Sequence, residues 1–220
     1  MKKFELTAEF VTNVFGKKLF RIKALVAFGD VEKGELGGFI EKEGNLSHDG
    51  NAWVSGNARV SGDAWVSGNA QVSGDAWVSG NAQVSGDARV YGNAQVSGDA
   101  WVSGNAQVSG DAWVYGNAQV SGDAWVSGNA QVSGDARVYG NADFSVVEGF
   151  GRYFRATTFF RCKDKILRVQ CGCFYGDLAQ FREIVKETHG DSKYAKEYLA
   201  IADLMELHFS DEEEKQEVAE

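Results

Sequence analysis

From residue 51 onward the chain repeats a six-residue unit, as in "GNAQVSGDAWVS", and that repeat leaves few folds open. Alanine recurs every sixth position from Ala52 to Ala142. Valine follows two places later, from Val54 to Val138, and Phe144 occupies the next such position. A short fixed period marks a solenoid. Successive side chains of a strand point to opposite faces, so Ala and Val share the inside. The residue between them, and the Ser or Tyr that follows, point outward. Gly-Asn or Gly-Asp then supplies a corner, because these residues accept the positive φ of a tight turn. Each hexad is one short strand plus one corner, and sixteen of them stack over residues 51–144. The chain has 27 Gly and no Pro, which suits a continuous ladder, since proline has no N–H to donate.

The number of hexads per coil follows from the corner residue, which alternates between Asn and Asp with a period of twelve. Four hexads per coil would set Asp over Asp along a column. Three would alternate Asp63, Asn81, Asp99, Asn117 and Asp135. Two exposed carboxylates ~4.8 Å apart repel by roughly 1 kcal/mol in water, which favours three. Against this, four hexads would ladder Tyr91, Tyr115 and Tyr139, worth ~0.5–1.5 kcal/mol per aromatic pair. Interior volume decides. One Val and one Ala per side fill a thin triangular prism but would leave a void in a square tube. Coils of 18 residues are predicted, about five of them.

The unit V-S-G-D/N-A-x resembles the hexapeptide motif of left-handed β-helix proteins, an aliphatic residue with a small one two places earlier. That resemblance implies left-handed triangular coils and frequent parallel trimers. The flanks "FRIKALVAFGDVEKGELGGFIEKEGNLS", "TTFFRCKDKILRVQCGCFYGDLAQF" and "THGDSKYAKEYL" resemble proteins of bacteria and their phages. Such proteins are commonly labelled hexapeptide-repeat or polymer-forming cytoskeletal.

Residues 1–50 read as a hairpin, "FELTAEF" and "KLFRIKALVAF" around "NVFGKK", leading into a capping coil in which Ile40 and Leu46 fall in the alanine frame. An open stack exposes unpaired N–H and C=O groups, so caps are expected at both ends. Residues 145–210 read as a small α+β module. It holds a hairpin around Lys163–Lys165, then a helix capped by Asp177 with the stripe Leu178, Phe181, Ile184 and Val185, ended by Gly190. A second helix starts at Asp191 or Ser192 and carries Tyr194, Tyr198, Ile201 and Met205. Residues 211–220 read as a disordered acidic tail. The expected class is mainly β, a triangular parallel β-helix with an N-terminal β cap and a C-terminal α+β module.

Charge narrows the function. The net charge of −9 resides in the repeat, with three Arg against eight Asp, and in the tail, with one Lys against six acids. Neither flanking module is strongly basic, which argues against nucleic acid as a partner. The opening "MKKFELTAEF" lacks the apolar core of a signal peptide, and no ~18-residue apolar run follows. Three local cysteines make no disulfide framework, so a cytoplasmic protein off the membrane is expected, in the host cytoplasm if phage-encoded.

Candidate chemistry is sparse. Many left-handed β-helix proteins are acyltransferases with a catalytic His and loops that interrupt the coils. Here the hexads hold no His, and His48, His189 and His208 lie outside them. Cys162, Cys171, Cys173 and His189 form a Cys₃His set, but C-x₈-C-x-C spacing is not that of a zinc site. Corner carboxylates diluted by Asn are turn formers rather than calcium ligands. No metal or cofactor is expected. The outward aromatics stand apart. Trp53 and Trp125 share one face, Trp77 and Trp113 another, Trp65 and Trp101 the third, with Tyr91, Tyr115 and Tyr139 beside them. Aromatic residues are enriched at interfaces, so these nine are the expected contact surface of a homotrimer or of a foreign partner. Arg152, Arg155, Arg161 and Arg168 would suit a phosphate-bearing ligand. The expected function is thus a non-enzymatic scaffold or binding solenoid. The alternatives are a phage accessory, anti-defence protein that occupies a host protein or sequesters a small phosphorylated signal, and a hexapeptide-type acyltransferase.

Overall fold

The computed structural model describes residues 1–210, and the expected acidic tail lies outside the described residues. Strands β1 (Phe4–Thr12) and β2 (Lys18–Ala24) form an antiparallel hairpin, and β3 (Leu36–Ile40) follows beside β2. Fifteen two-residue strands come next, β4 to β18, one every six residues from Trp53–Val54 to Arg137–Val138. They make a parallel β-solenoid with 18-residue spacing and three faces. Gln95, for example, pairs with Trp77 on one side and Trp113 on the other. One face runs on through β3 into the hairpin, so the N-terminal strands extend it edge to edge.

Along the regular coils the inward positions are alanine and valine, and every one from Ala52 to Val138 is fully buried. A buried Val contributes about 1.5–3 kcal/mol relative to leaving it in water, so the prism is stabilised coil by coil. The ladder is regular: Trp77 N–H donates to Ala94 O at 2.9 Å, Ser79 to Val96 at 2.9 Å, Asn81 to Gly98 at 2.8 Å. The corners between stacked coils need their glycine twice over, as Gly98 shows. Gly98 has φ +70°, and a Cβ there would lie 3.0 Å from Gly116 N. Beside it the Asn/Asp alternation becomes a hydrogen bond. The Nδ2 of Asn69, Asn81, Asn93 and Asn105 each donates to the Asp one coil on, all at 2.9 Å.

Two boundaries differ from expectation. The sixteenth hexad leaves the stack. Asp143 stands where other hexads carry Trp, Gln or Arg, and its carboxylate accepts from the N–H groups of Tyr139 (2.8 Å) and Gly140 (3.0 Å). That capture winds 141–143 into a 3₁₀ turn, exposes Ala142 and sends Phe144 into β19 (Phe144–Val147) of the C-terminal sheet. At the other end Ile40 and Leu46 do prolong the prism, but beneath Val60 and Val66 rather than in the alanine frame. Both sit 20 residues below their partners, and the turn after Leu46 absorbs the two extra residues.

Both ends are capped by side chains. At the first coil the Lys3 ammonium donates to Ala52 O (2.9 Å) and Gly50 O (3.3 Å), and the Asn45 amide donates to Ala64 O (2.8 Å) and Gly62 O (3.1 Å). Lys3 is buried over the Phe28 ring, and burial lowers its pKa to about 8 while Asp49 opposes the shift. At the last coil Asn141 Oδ1 accepts from Trp125 N–H (2.8 Å) and Thr158 Oγ1 from Gln131 N–H (3.0 Å).

The C-terminal module is a four-stranded antiparallel sheet with two helices. Its strands are β19, β20 (Thr157–Arg161), β21 (Leu167–Cys171) and β22 (Phe174–Asp177). Lys165, at φ 64°, turns β20 into β21 in the expected hairpin. A second turn at Gly172, φ 57°, ends β21 and adds a further strand, β22, to that hairpin. Asp177 caps α1 (Leu178–His189) and Ser192 caps α2 (Lys193–His208). Phe159, Phe181, Tyr198 and Met205 centre a separate core, while Phe160 and Cys162 pack into the end of the prism.

Candidate functional site: the aromatic faces of the prism

The outward positions of the middle coils are held by parallel pairing on both sides, while among the described strands β6 (Trp65–Val66) pairs with β9 alone and β16 (Trp125–Val126) with β13 alone, so the side chains lie on nearly flat faces. Trp65 and Trp125 are 52% exposed, Trp101 45% and Trp113 46%. Trp77 is half-buried. The indoles lie across the face. Trp77 Nε1 donates to Ser61 Oγ (3.3 Å), Trp101 to Ser85 (3.3 Å) and Trp125 to Ser109 (3.2 Å), each on the coil below. The recurrent serine therefore anchors the ring as well as filling a strand position. The clue was present in the sequence: a Ser sixteen residues before a Trp is its diagonal neighbour in an 18-residue coil. Tyr91 is half-buried and donates to Gln107 Oε1 at 3.2 Å. Tyr115 is half-buried and Tyr139 exposed.

Trp53 is a correction to the expected outward set. It is 2% exposed, because the N-terminal strands close over it. Phe28 meets it edge-on at 5.4 Å, and Gly37 passes so close that a Cβ there would lie 2.7 Å from the indole. Its N–H is buried with no hydrogen-bond partner among the described residues.

Corner carboxylates stand at the prism edges, so the faces carry Trp, Gln, Ser, the three Tyr and the three Arg of the repeat. Tryptophan and arginine are the residue types that dominate binding hot spots. The rings of Trp77, Trp101 and Trp125 are tied down by their serine bonds, so these have less rotamer freedom to lose on contact.

The four arginines of the C-terminal module do not converge. Arg152 and Arg155 flank Tyr153. Arg161 donates to Phe209 O (2.9 Å) and stacks on its ring, and Arg168 pairs with Asp164 (2.7 Å). The three cysteines are likewise dispersed. Cys162, at the prism end of β20–β21, lies 4.0 Å from the Tyr175 hydroxyl, and burial pushes its thiol pKa up. Cys171 closes the opposite end and accepts from Thr157 Oγ1 at 3.2 Å, and Cys173 is exposed. Among the described residues no group of three or more His, Cys, Asp or Glu is placed to hold a metal ion. His48 stacks on Phe4 at 4.4 Å and pairs with Glu43 at 2.7 Å, a fixed part of the N-terminal cap. Among the described residues no helix is long and apolar enough to cross a membrane.

The family model described as YdcK Beta solenoid repeat matches residues 52–68, 70–86, 82–98, 94–110, 106–122, 118–134 and 130–142. Most matched segments span close to one coil, and from residue 70 they advance in steps of twelve, the period of the Asn/Asp alternation. No curated protein matches the chain. Fold and matches together make this chain a β-solenoid repeat protein.

Proposed function

We propose that the chain is a self-assembling scaffold, a rigid prism whose Trp-bearing faces pack against sister copies in a parallel homotrimer. The observation that carries this reading is the set of four tryptophans, 45–52% exposed, on flat faces without corner carboxylates. Large exposed aromatic surface on a rigid support marks an interface. Parallel packing stacks like coils at the same height, so Trp faces Trp and acidic corners stay at the rim. Neither end module is needed for that contact, and both block end-to-end growth by covering the open coils. The three free cysteines suit a reducing compartment. Native mass spectrometry of the purified chain tests the reading. A species of three times 23.9 kDa that falls to monomer in the double variant Trp65→Ser, Trp101→Ser supports it. A clean monomer at micromolar concentration sinks it, and leaves the faces to a foreign partner.

A further inference from the structure

The C-terminal module contains a cleft of about 220 Å³ between the 149–155 loop and α1, away from the prism faces. Its floor is apolar, formed by Phe174 of β22 with Phe181, Ile184 and Val185 of α1. Its rim is cationic. The Arg152 and Arg155 guanidiniums lie 5.4 and 5.1 Å from the centroid of the Tyr153 ring. Among the described residues neither has a carboxylate at ion-pair distance, whereas Arg168 and Arg182 are paired with Asp164, Asp203 and Glu206. Two cations that line one cleft with an apolar floor, without a carboxylate to balance either, are an unbalanced arrangement for a free surface.

The loop that carries them is held in place. Gly151 N–H donates to the Glu197 carboxylate at 2.9 Å, and a Cβ on Gly151, at φ 71°, would lie 2.1 Å from the Tyr198 hydroxyl. Phe154 keeps φ 53°, an uncommon conformation for an aromatic residue. His189 stacks on Tyr198 at 5.8 Å and closes the inner wall. Burial, with the Cys171 thiol adding to it, pushes the Tyr198 phenol up to about 12, so it remains a hydrogen-bond donor.

We propose that this cleft binds a small planar ring bearing one oxyanion, with the ring over Phe174 and Ile184 and the oxyanion between Arg152 and Arg155. The volume admits one ring system rather than an extended ligand. Guanidiniums recognise carboxylate and phosphate in the same forked geometry, so either head group fits. An inorganic anion would leave the floor wet, and a neutral ring would leave both charges unanswered.

The test is saturation-transfer NMR on the whole chain with phenyl phosphate and benzoate as probes, against phenol and inorganic phosphate. Saturable binding of at least one ring anion is expected, and which one binds identifies the head group. Phenol binds at least tenfold more weakly, and inorganic phosphate in tenfold excess fails to displace the probe. The double variant Arg152→Gln, Arg155→Gln weakens binding at least tenfold with an unchanged melting temperature. Ile184→Ser, which shortens the apolar floor without adding a charge, also weakens it at least tenfold. The proposal is overturned by no saturable binding of either ring anion, by phosphate competing as well as the ring, or by binding retained in both variants.

Discussion

Replacing Asn93 by Asp isolates the electrostatics of the corner column. Asn93 lies between Asp75 and Asp111 and donates to Asp111 Oδ1 at 2.9 Å. The substitution turns three consecutive corners into carboxylates at the coil spacing of ~4.8 Å, and each new pair costs about 1 kcal/mol in water. Loss of the amide hydrogen bond adds about 0.5–1.5 kcal/mol. The expected destabilisation is therefore about 3 kcal/mol at low salt. The control Asn93→Ala loses only the hydrogen-bond share. The reverse change, Asp111→Asn, removes a charge and creates no repulsion, so it stays within about 0.5 kcal/mol of the parent. Screening separates the terms: the Debye length falls from ~30 Å at 0.01 M to ~3 Å at 1 M salt, which restores most of the Coulomb share. Urea melts of the four proteins at both salt concentrations provide the assay. Should Asn93→Asp prove no less stable than Asn93→Ala at low salt, or its deficit ignore salt, repulsion does not explain the alternation.

Three further outcomes are expected. The Lys3 pKa is about 8 in the fold against 10.5 unfolded, so between those values only the unfolded chain keeps the proton and stability rises with pH; urea midpoints from pH 7.5 to 10.5 should show a rise that Lys3→Met abolishes. Thr158→Val strips the acceptor from Gln131 N–H and costs about 1–3 kcal/mol, read in the melt and as faster hydrogen exchange at that amide. Gly151→Ala forces a Cβ to within 2.1 Å of the Tyr198 hydroxyl at a φ that favours glycine, so the 149–155 loop becomes sensitive to limited proteolysis while exchange protection in the prism is unchanged.

Period alone reveals the prism because its stabilising contacts are between equivalent positions. Val96 meets Val78 and Val114, so one hexad describes all of them. The departures arise where the chain meets something that is not itself. Trp53 has the same local sequence as Trp65, yet Phe28 and Gly37, distant in sequence, bury it. Ala142 keeps the alanine frame, but one carboxylate two residues from an end captures two backbone N–H groups and outweighs the pattern. Ile40 and Leu46 share hydrophobicity with either register, so only the length of the following turn decides between Ala and Val columns. The helices were visible through their caps and apolar stripes. The meeting of Arg152 and Arg155 over an α1 floor was not, since it depends on how a glycine loop folds back on two helices.

Two periods coexist in the chain, and their ratio decides which changes of length the corner columns would tolerate. The coil closes after three hexads, but the composition repeats after two. Removing or adding one twelve-residue unit preserves the Asn/Asp alternation that runs along the chain from Asn57 to Asn141, and with it the alternation along the columns they form, because residues eighteen apart are always an odd number of hexads apart. Adding one 18-residue coil breaks it. At the junction all three columns acquire a like pair, Asp over Asp in one or two of them and Asn over Asn in the rest, and amide-to-carboxylate bonds are lost. Duplication by twelve also rotates the C-terminal module by two faces of the prism, while its own contacts, all with the last coils, remain intact. The repeat can therefore change length in steps that cost no corner hydrogen bond. Each step turns the cleft of the C-terminal module to a different side of the N-terminal hairpin.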